Sequence, residues 1–150
     1  MKKELLKGFT MLALTVALAL ATAGASNAQT SNQIVADIPF EFTVGGESLP
    51  SGQYTVRAAN SQGNALIVQS SDAKSAAMRL TNSIRPSKPN TQARLVFHRY
   101  GERYFLAEVW SGSDSTGRQL MKSRQERAIE RELASIQGSY ETIEVLAALR

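Results

Sequence analysis

His98 is the only histidine in the 150-residue chain, and an imidazole has a wide chemical range. It can serve as a general base or as a metal ligand near neutral pH. The apolar and aromatic runs at 93–100 and 104–111 flank Gly101-Glu102 and predict a β-hairpin. Glu108 lies on its second strand, so one base and one carboxylate share the predicted hairpin.

The register of this hairpin decides which side chains share a face of the sheet. If the loop has two residues, Leu95 faces Glu108 and Arg99 lies on the same face as Glu108. If the loop has three residues, Val96 faces Glu108 and His98 lies on that face. The sequence leaves both registers open. In either register, one carboxylate beside one base is more typical of an ion pair than of a catalytic unit.

Two short patterns resemble catalytic motifs without their context. Ser71-Asp72-Ala73-Lys74 fits S-x-x-K, but the further motifs of penicillin-binding enzymes are absent. Residues 113–117 lack the first glycine of G-x-S-x-G and no strand-to-helix turn is evident there. The carboxylates show no metal-ligand spacing. We therefore predict no catalytic constellation, no metal site and no cofactor.

Aromatic residues on the predicted middle strands are candidates for binding. A solvent-facing row of rings could stack on sugars, because an aromatic face is large and apolar. The alternative is that these rings pack in the core and pair across strands. The candidate binding residues are Trp110, Tyr100, Tyr104, His98 and Arg99.

Basic residues recur on one face of a predicted helix, at Arg124, Arg127 and Arg131. This stripe could meet an anionic partner, such as a phosphate-bearing glycan or an acidic protein. The alternative is a solvated face, because acidic residues are interleaved with the arginines. Those acidic residues are Glu126, Glu130 and Glu132.

The chain that carries these residues is mainly β by its periodicity. Residues 34–44 alternate apolar and polar side chains, which predicts a strand with one buried face. Pro39 makes it an edge strand or breaks it in two. Further short strands follow at about the spacing of sandwiches and barrels. We predict an antiparallel sandwich or open barrel of six or seven strands, forming a single domain over 34–150.

One amphipathic helix is predicted near the C-terminus, over about 124–137. Ser123 and Glu126 have the spacing of a capping box at its start. Gly138 stands where a helix stop is expected. The apolar stripe of this helix needs the sheet to cover it and consists of Ile129, Leu133 and Ile136. Residues 142–149 are a last strand or a second helix, and their β-branched residues favour the strand.

The opening of this domain resembles that of a family of short exported bacterial proteins. A later stretch at 95–101, with Tyr104-Phe105-Leu106 after it, is also similar. This family has no assigned activity, so the resemblance implies export and a mainly β fold and carries no catalytic residues. The opening motif is Ile38-Pro39-Phe40-x-Phe42-x-Val44-Gly45-x-x-x-Leu49-Pro50-x-Gly52-x-Tyr54-x-Val56.

The first 28 residues have the layout of a secretory signal peptide. Three lysines precede a 15-residue apolar run at 9–23, and Ser26-Asn27-Ala28 offers small residues for cleavage, with Ala25 as an alternative. The run is shorter than the roughly 20 residues of a spanning helix. We expect a periplasmic or secreted protein without a stable membrane anchor after cleavage, beginning with a loose segment at 29–33.

Composition excludes several classes of function. The chain has no cysteine, which excludes disulfides, thiolate metal sites and a lipoprotein anchor. The leader holds three of the 17 basic and one of the 13 acidic residues, so 14 and 12 remain, a net charge of +2. A balanced surface gives no electrostatic argument for nucleic acid.

Together these features predict an exported, non-catalytic β module. We expect it to bind a glycan, such as a polysaccharide, an envelope component or a protein partner. The alternative is a small hydrolase or isomerase that uses His98 with Glu108.

Overall fold

The computed structural model describes residues 33–86, 91–113 and 115–150. The predicted signal peptide at 1–28 lies outside the described residues. So does the predicted loose segment at 29–33, apart from Gln33, its last residue. No helix among the described residues is long and apolar enough to cross a membrane.

The described chain is mainly β, as predicted, but it forms eleven strands where six or seven were expected. The first predicted strand splits into two strands at Pro39. The glycine pair at 45–46 then reverses the chain, and a third strand follows. The strands are β1 (Ile34–Ile38), β2 (Phe42–Val44), β3 (Glu47–Leu49), β4 (Gly52–Ala58), β5 (Ala65–Ser70), β6 (Ala76–Ile84), β7 (Arg94–Tyr100), β8 (Arg103–Trp110), β9 (Gly117–Leu120), β10 (Glu141–Leu146) and β11 (Ala148–Leu149).

These strands form one sheet that closes on itself. Its order is β10-β7-β8-β9-β6-β5-β4-β1-β11, and the pairings along this path are antiparallel. β10 and β11 are two parts of one segment, interrupted at Ala147. Because β10 pairs with β7 and β11 with β1, the path returns to the segment where it starts. The predicted open barrel is thus closed across Ala147, whose N–H donates to the carbonyl of Ala93 at 2.9 Å.

A short hairpin of β2 and β3 lies off this path. It joins β8 through one parallel pair, Thr43 with Phe105, so the sheet is mixed and not purely antiparallel.

The core fills the inside of the barrel. Tyr54, Phe42 and Phe97 are among its largest fully buried side chains. Burying each such side chain stabilises the fold by roughly 1.5–3 kcal/mol. On β7 the alternation is clear, because Leu95 and Phe97 point into this core. Their neighbours on the same strand therefore point outward.

The hairpin of β7 and β8 combines both predicted registers. Tyr100 pairs with Arg103, which is the two-residue loop. A bulge at Ala107 then shifts the pairing by one, so that Val96 faces Glu108, as in the three-residue register. A bulge of this kind adds one residue to one strand and leaves it unpaired. Val96 and Glu108 therefore lie on the outer face of the barrel with His98.

The helix α1 spans Arg124–Ser135, two residues shorter than predicted. The Ser123 hydroxyl accepts a hydrogen bond from the Glu126 N–H at 3.1 Å, which satisfies a free donor of the first turn. At the other end Gln137, with φ of 56°, takes the left-handed conformation that was expected of Gly138. The N–H of Gly138 then donates to the Leu133 carbonyl at 2.9 Å, as in a Schellman motif.

The sheet covers only part of the apolar stripe of α1. Ile129 and Leu133 are half-buried, and Ile136 is 71% exposed. The one buried residue of the helix is Glu126. The prediction that the sheet would cover this stripe is therefore only partly met. The helix is held to the barrel at its first turn, through a carboxylate.

Candidate functional site

The outer face of β7 and β8 carries a second buried layer. Val96, Tyr100, Phe105 and Trp110 are buried there, yet none of them belongs to the core inside the barrel. Part of this layer is covered by the first turn of α1 and by the segment that follows the helix. The layer contains the polar groups from which the candidate site is built.

His98 and Glu126 form the centre of the site. His98 Nδ1 lies 3.0 Å from Glu126 Oε1, and the two residues are only 9% and 4% exposed. An ionised carboxylate only accepts hydrogen bonds, so Nδ1 is the donor and carries the proton. With its proton on Nδ1, an imidazole in its neutral form presents the lone pair of Nε2 as an acceptor. Glu126 thus sets both the orientation and the tautomer of His98.

Two tyrosines complete this cluster. The Tyr100 hydroxyl lies 3.4 Å from Glu126 Oε1, within hydrogen-bond distance. The Tyr140 ring lies against His98, with 4.1 Å between ring centroids, and Lys122 Nζ lies 5.4 Å from its centre. Burial raises the pKa of Tyr100 above its usual value of 10.0, and the negative charges of Glu126 and Glu130 raise it further.

This raised pKa predicts a loss of stability in alkali. The folded chain holds the Tyr100 proton more tightly than the unfolded chain, so the stabilisation is present below about pH 10 and is lost above it. Burial also raises the pKa of Tyr54, with the Asp72 charge as a second cause. We expect Tyr100→Phe to lose less unfolding free energy than the wild type between about pH 8 and about pH 11. Urea titrations at both pH values test this, and identical losses would contradict it.

A cavity of about 270 Å³ opens beside His98 on this outer face. β6 and β9 bring Asn82 and Gln119 there as directly paired neighbours. Its apolar lining is Ala107, Leu120 and Met121. Its polar lining is Asn82, His98, Gln119, Lys122, Glu126 and Arg127. The volume falls just below the roughly 300–1,000 Å³ of drug-sized sites. It therefore suits one small ligand or a single unit of a polymer.

Of the predicted site residues, the structure brings His98 and Tyr100 together around Glu126. Trp110 lies at the other end of the hairpin and is 5% exposed. Its Nε1 donates to Glu108 Oε2 at 2.9 Å, so Glu108 is engaged there and not with His98. This ring is not part of a solvent-facing row.

Tyr104 and Arg99 lie on the opposite face of the hairpin. Tyr104 stacks on Phe40 with 4.0 Å between centroids, and the Arg99 guanidinium lies 5.6 Å from the Tyr104 ring. Arg99 also pairs with Glu141 at 3.4 Å. The two residues therefore form a separate cluster.

Sequence reasoning missed three residues of the site. Glu126 was assigned to the solvated helix face, although it is buried against His98. Its spacing from Ser123 indicated a cap and nothing about the distant strand. Asn82 and Gln119 lie on outward positions of paired strands. Only the pairing of β6 with β9 brings them together, and no local signal in the sequence indicates it.

A second, larger cavity of about 370 Å³ lies where the barrel closes. It is lined by residues of the loops at 91–93 and 111–113 and by Leu146, Ala147 and Leu149. None of these lining side chains is charged or titratable. The cavity beside His98 is smaller but holds an oriented imidazole, and we take it as the candidate site.

No family model, curated protein or solved structure matches this chain. The resemblance of residues 38–56 to short exported bacterial proteins stays a prediction. Within the described ranges, no group of three or more His, Asp or Glu side chains is placed to hold a metal ion.

Proposed function

We propose that this chain is an exported, non-catalytic β module that binds a glycan through the cavity beside His98. The predicted leader and the family resemblance support a periplasmic or secreted location. The observation that carries the binding proposal is the cavity itself. It combines an imidazole held at 3.0 Å by Glu126 with the paired amides of Asn82 and Gln119.

A sugar ring suits this lining better than a protein segment or another envelope component. Sugar hydroxyls both donate and accept hydrogen bonds, and each amide side chain offers both functions. His98 lines the same cavity, and its Nε2 is an acceptor in the neutral form of the ring. Met121, which is half exposed, adds apolar surface for the carbon face of a ring. The small volume holds one unit, so a polysaccharide would bind through a terminal or single exposed residue.

The test is a glycan array followed by calorimetry on the best ligand. We expect Asn82→Ala and Gln119→Ala each to weaken binding about five- to tenfold, since each removes about one hydrogen bond to the ligand. Gln62→Ala is the matched control, because this amide is exposed and lies outside the cavity lining. A ligand whose affinity is unchanged in both cavity variants would contradict the assignment of the site.

A small hydrolase or isomerase is the second candidate, with Glu126 in the place predicted for Glu108. The oriented imidazole favours it, because a base needs a fixed tautomer and access to the substrate. A substrate panel discriminates the two proposals. Turnover that His98→Gln abolishes would replace the binding proposal with this one.

A further inference from the structure

The three arginines of α1 form an exposed basic stripe, here called the arginine stripe: Arg124, Arg127 and Arg131. They stand at i, i+3 and i+7, so they share one face of the helix. The stripe extends about 10 Å along the helix axis, at about 1.5 Å per residue. An anionic chain could contact all three side chains.

The acidic residues interleaved with this stripe are mostly engaged elsewhere. Glu126 is buried against His98 at 3.0 Å. Glu130 Oε1 lies 2.5 Å from Lys122 Nζ. Within the described part of the chain, no arginine of the stripe has an ion pair or hydrogen bond to a carboxylate. Glu132 is the third of these acidic residues. At 100° per residue, it lies about a quarter turn around the helix from Arg124. The stripe is therefore not neutralised as its sequence pattern suggested.

The arginine stripe is continuous with the candidate site, because Arg127 lines the cavity beside His98. A ligand with one unit in the cavity can therefore extend along the helix. We propose that the ligand is an acidic polysaccharide, with one sugar unit in the cavity and the carboxylates of neighbouring units on the arginines. This inference rests on the proposed glycan-binding function. Arginine suits it, because its planar fork pairs with a carboxylate through two hydrogen bonds.

Two other anionic partners fit the surface less well. Nucleic acid is disfavoured because residues 29–150 carry a net charge of only +2. A membrane surface requires an apolar helix face free to enter the lipid. On α1 that face is turned partly toward the barrel, where Ile129 and Leu133 are half-buried.

The test is calorimetry on the full chain, which measures its affinity for two polymers. Polygalacturonate is the uronate polymer, and dextran is the neutral polymer. We expect tighter binding to polygalacturonate, weakened about tenfold by Arg127→Gln and less by Arg131→Gln. Raising the ionic strength should weaken it as well. Arg85→Gln is the matched control, because Arg85 is exposed and lies outside both α1 and the cavity lining. Glu132→Gln should tighten binding.

Each further result decides one of the two proposals. The chain could bind both polymers with equal affinity, and Asn82→Ala could abolish this binding while Arg127→Gln leaves it unchanged. That result would overturn the proposal of an acidic ligand and would leave the cavity proposal standing. Equally tight binding to anionic phosphatidylglycerol vesicles or to duplex DNA also overturns the acidic polysaccharide. If no glycan on the array or in calorimetry binds, both proposals fail.

Discussion

His98→Ala is expected to lower the free energy of unfolding by about 3 kcal/mol. The substitution leaves the Glu126 carboxylate buried, at 4% exposure, without the donor that lies 3.0 Å from it. Removing one member of a buried pair costs more than the pair itself contributes, because the remaining charge stays desolvated. Urea unfolding at neutral pH, followed by circular dichroism, measures this loss.

A double-mutant cycle separates the pair from the packing of the imidazole. We expect His98→Ala with Glu126→Ala to cost less than the sum of the two single changes, because the double variant buries no unpaired carboxylate. Glu126→Gln is the conservative control, since its amide oxygen can still accept from Nδ1. Additive losses, or a His98→Ala variant as stable as the wild type, would show that the pair does not hold the helix to the barrel.

The parts of the fold that follow from local patterns were predicted correctly. Alternation along β1 marks its buried face, because side chains of a strand point to opposite sides in turn. Ser123 marks the start of α1, because its hydroxyl satisfies a free N–H of the first turn. Both signals need only residues close in sequence.

The parts that were missed depend on contacts between distant residues. The bulge at Ala107 is one, since it joins the two registers that the sequence left open. The partner of His98 is another, because Glu126 is 28 residues away and its helical spacing indicates only a cap. The end of α1 is a third case. The left-handed conformation there is adopted by Gln137, a residue other than glycine, and the sequence pointed to Gly138. Closure of the barrel at Ala147 likewise depends on contacts between distant residues, because β10 pairs with β7 and β11 pairs with β1.

Gly112→Ala is expected to destabilise the barrel by about 3 kcal/mol, the second large effect. Gly112 has φ of +76°, a conformation that costs a residue with Cβ about 1 kcal/mol. The added Cβ would also lie 2.6 Å from the backbone nitrogen of Ala93 and 2.9 Å from the Thr91 carbonyl oxygen. These are backbone atoms that no rotamer change can move, so the strand entry itself must shift, which adds about 2 kcal/mol.

Gly101→Ala is the matched control for this prediction. Gly101 has φ of +63°, but an added Cβ there would meet nothing within 4 Å. It should therefore cost only the conformational part, about 1 kcal/mol, or roughly 4 °C in Tm against roughly 12 °C for Gly112→Ala. Equal shifts in calorimetry would mean that the close approach at Gly112 has no energetic weight. The difference reports on the closure of the barrel, because Ala93 also accepts the hydrogen bond from Ala147 that joins the two parts of the last strand.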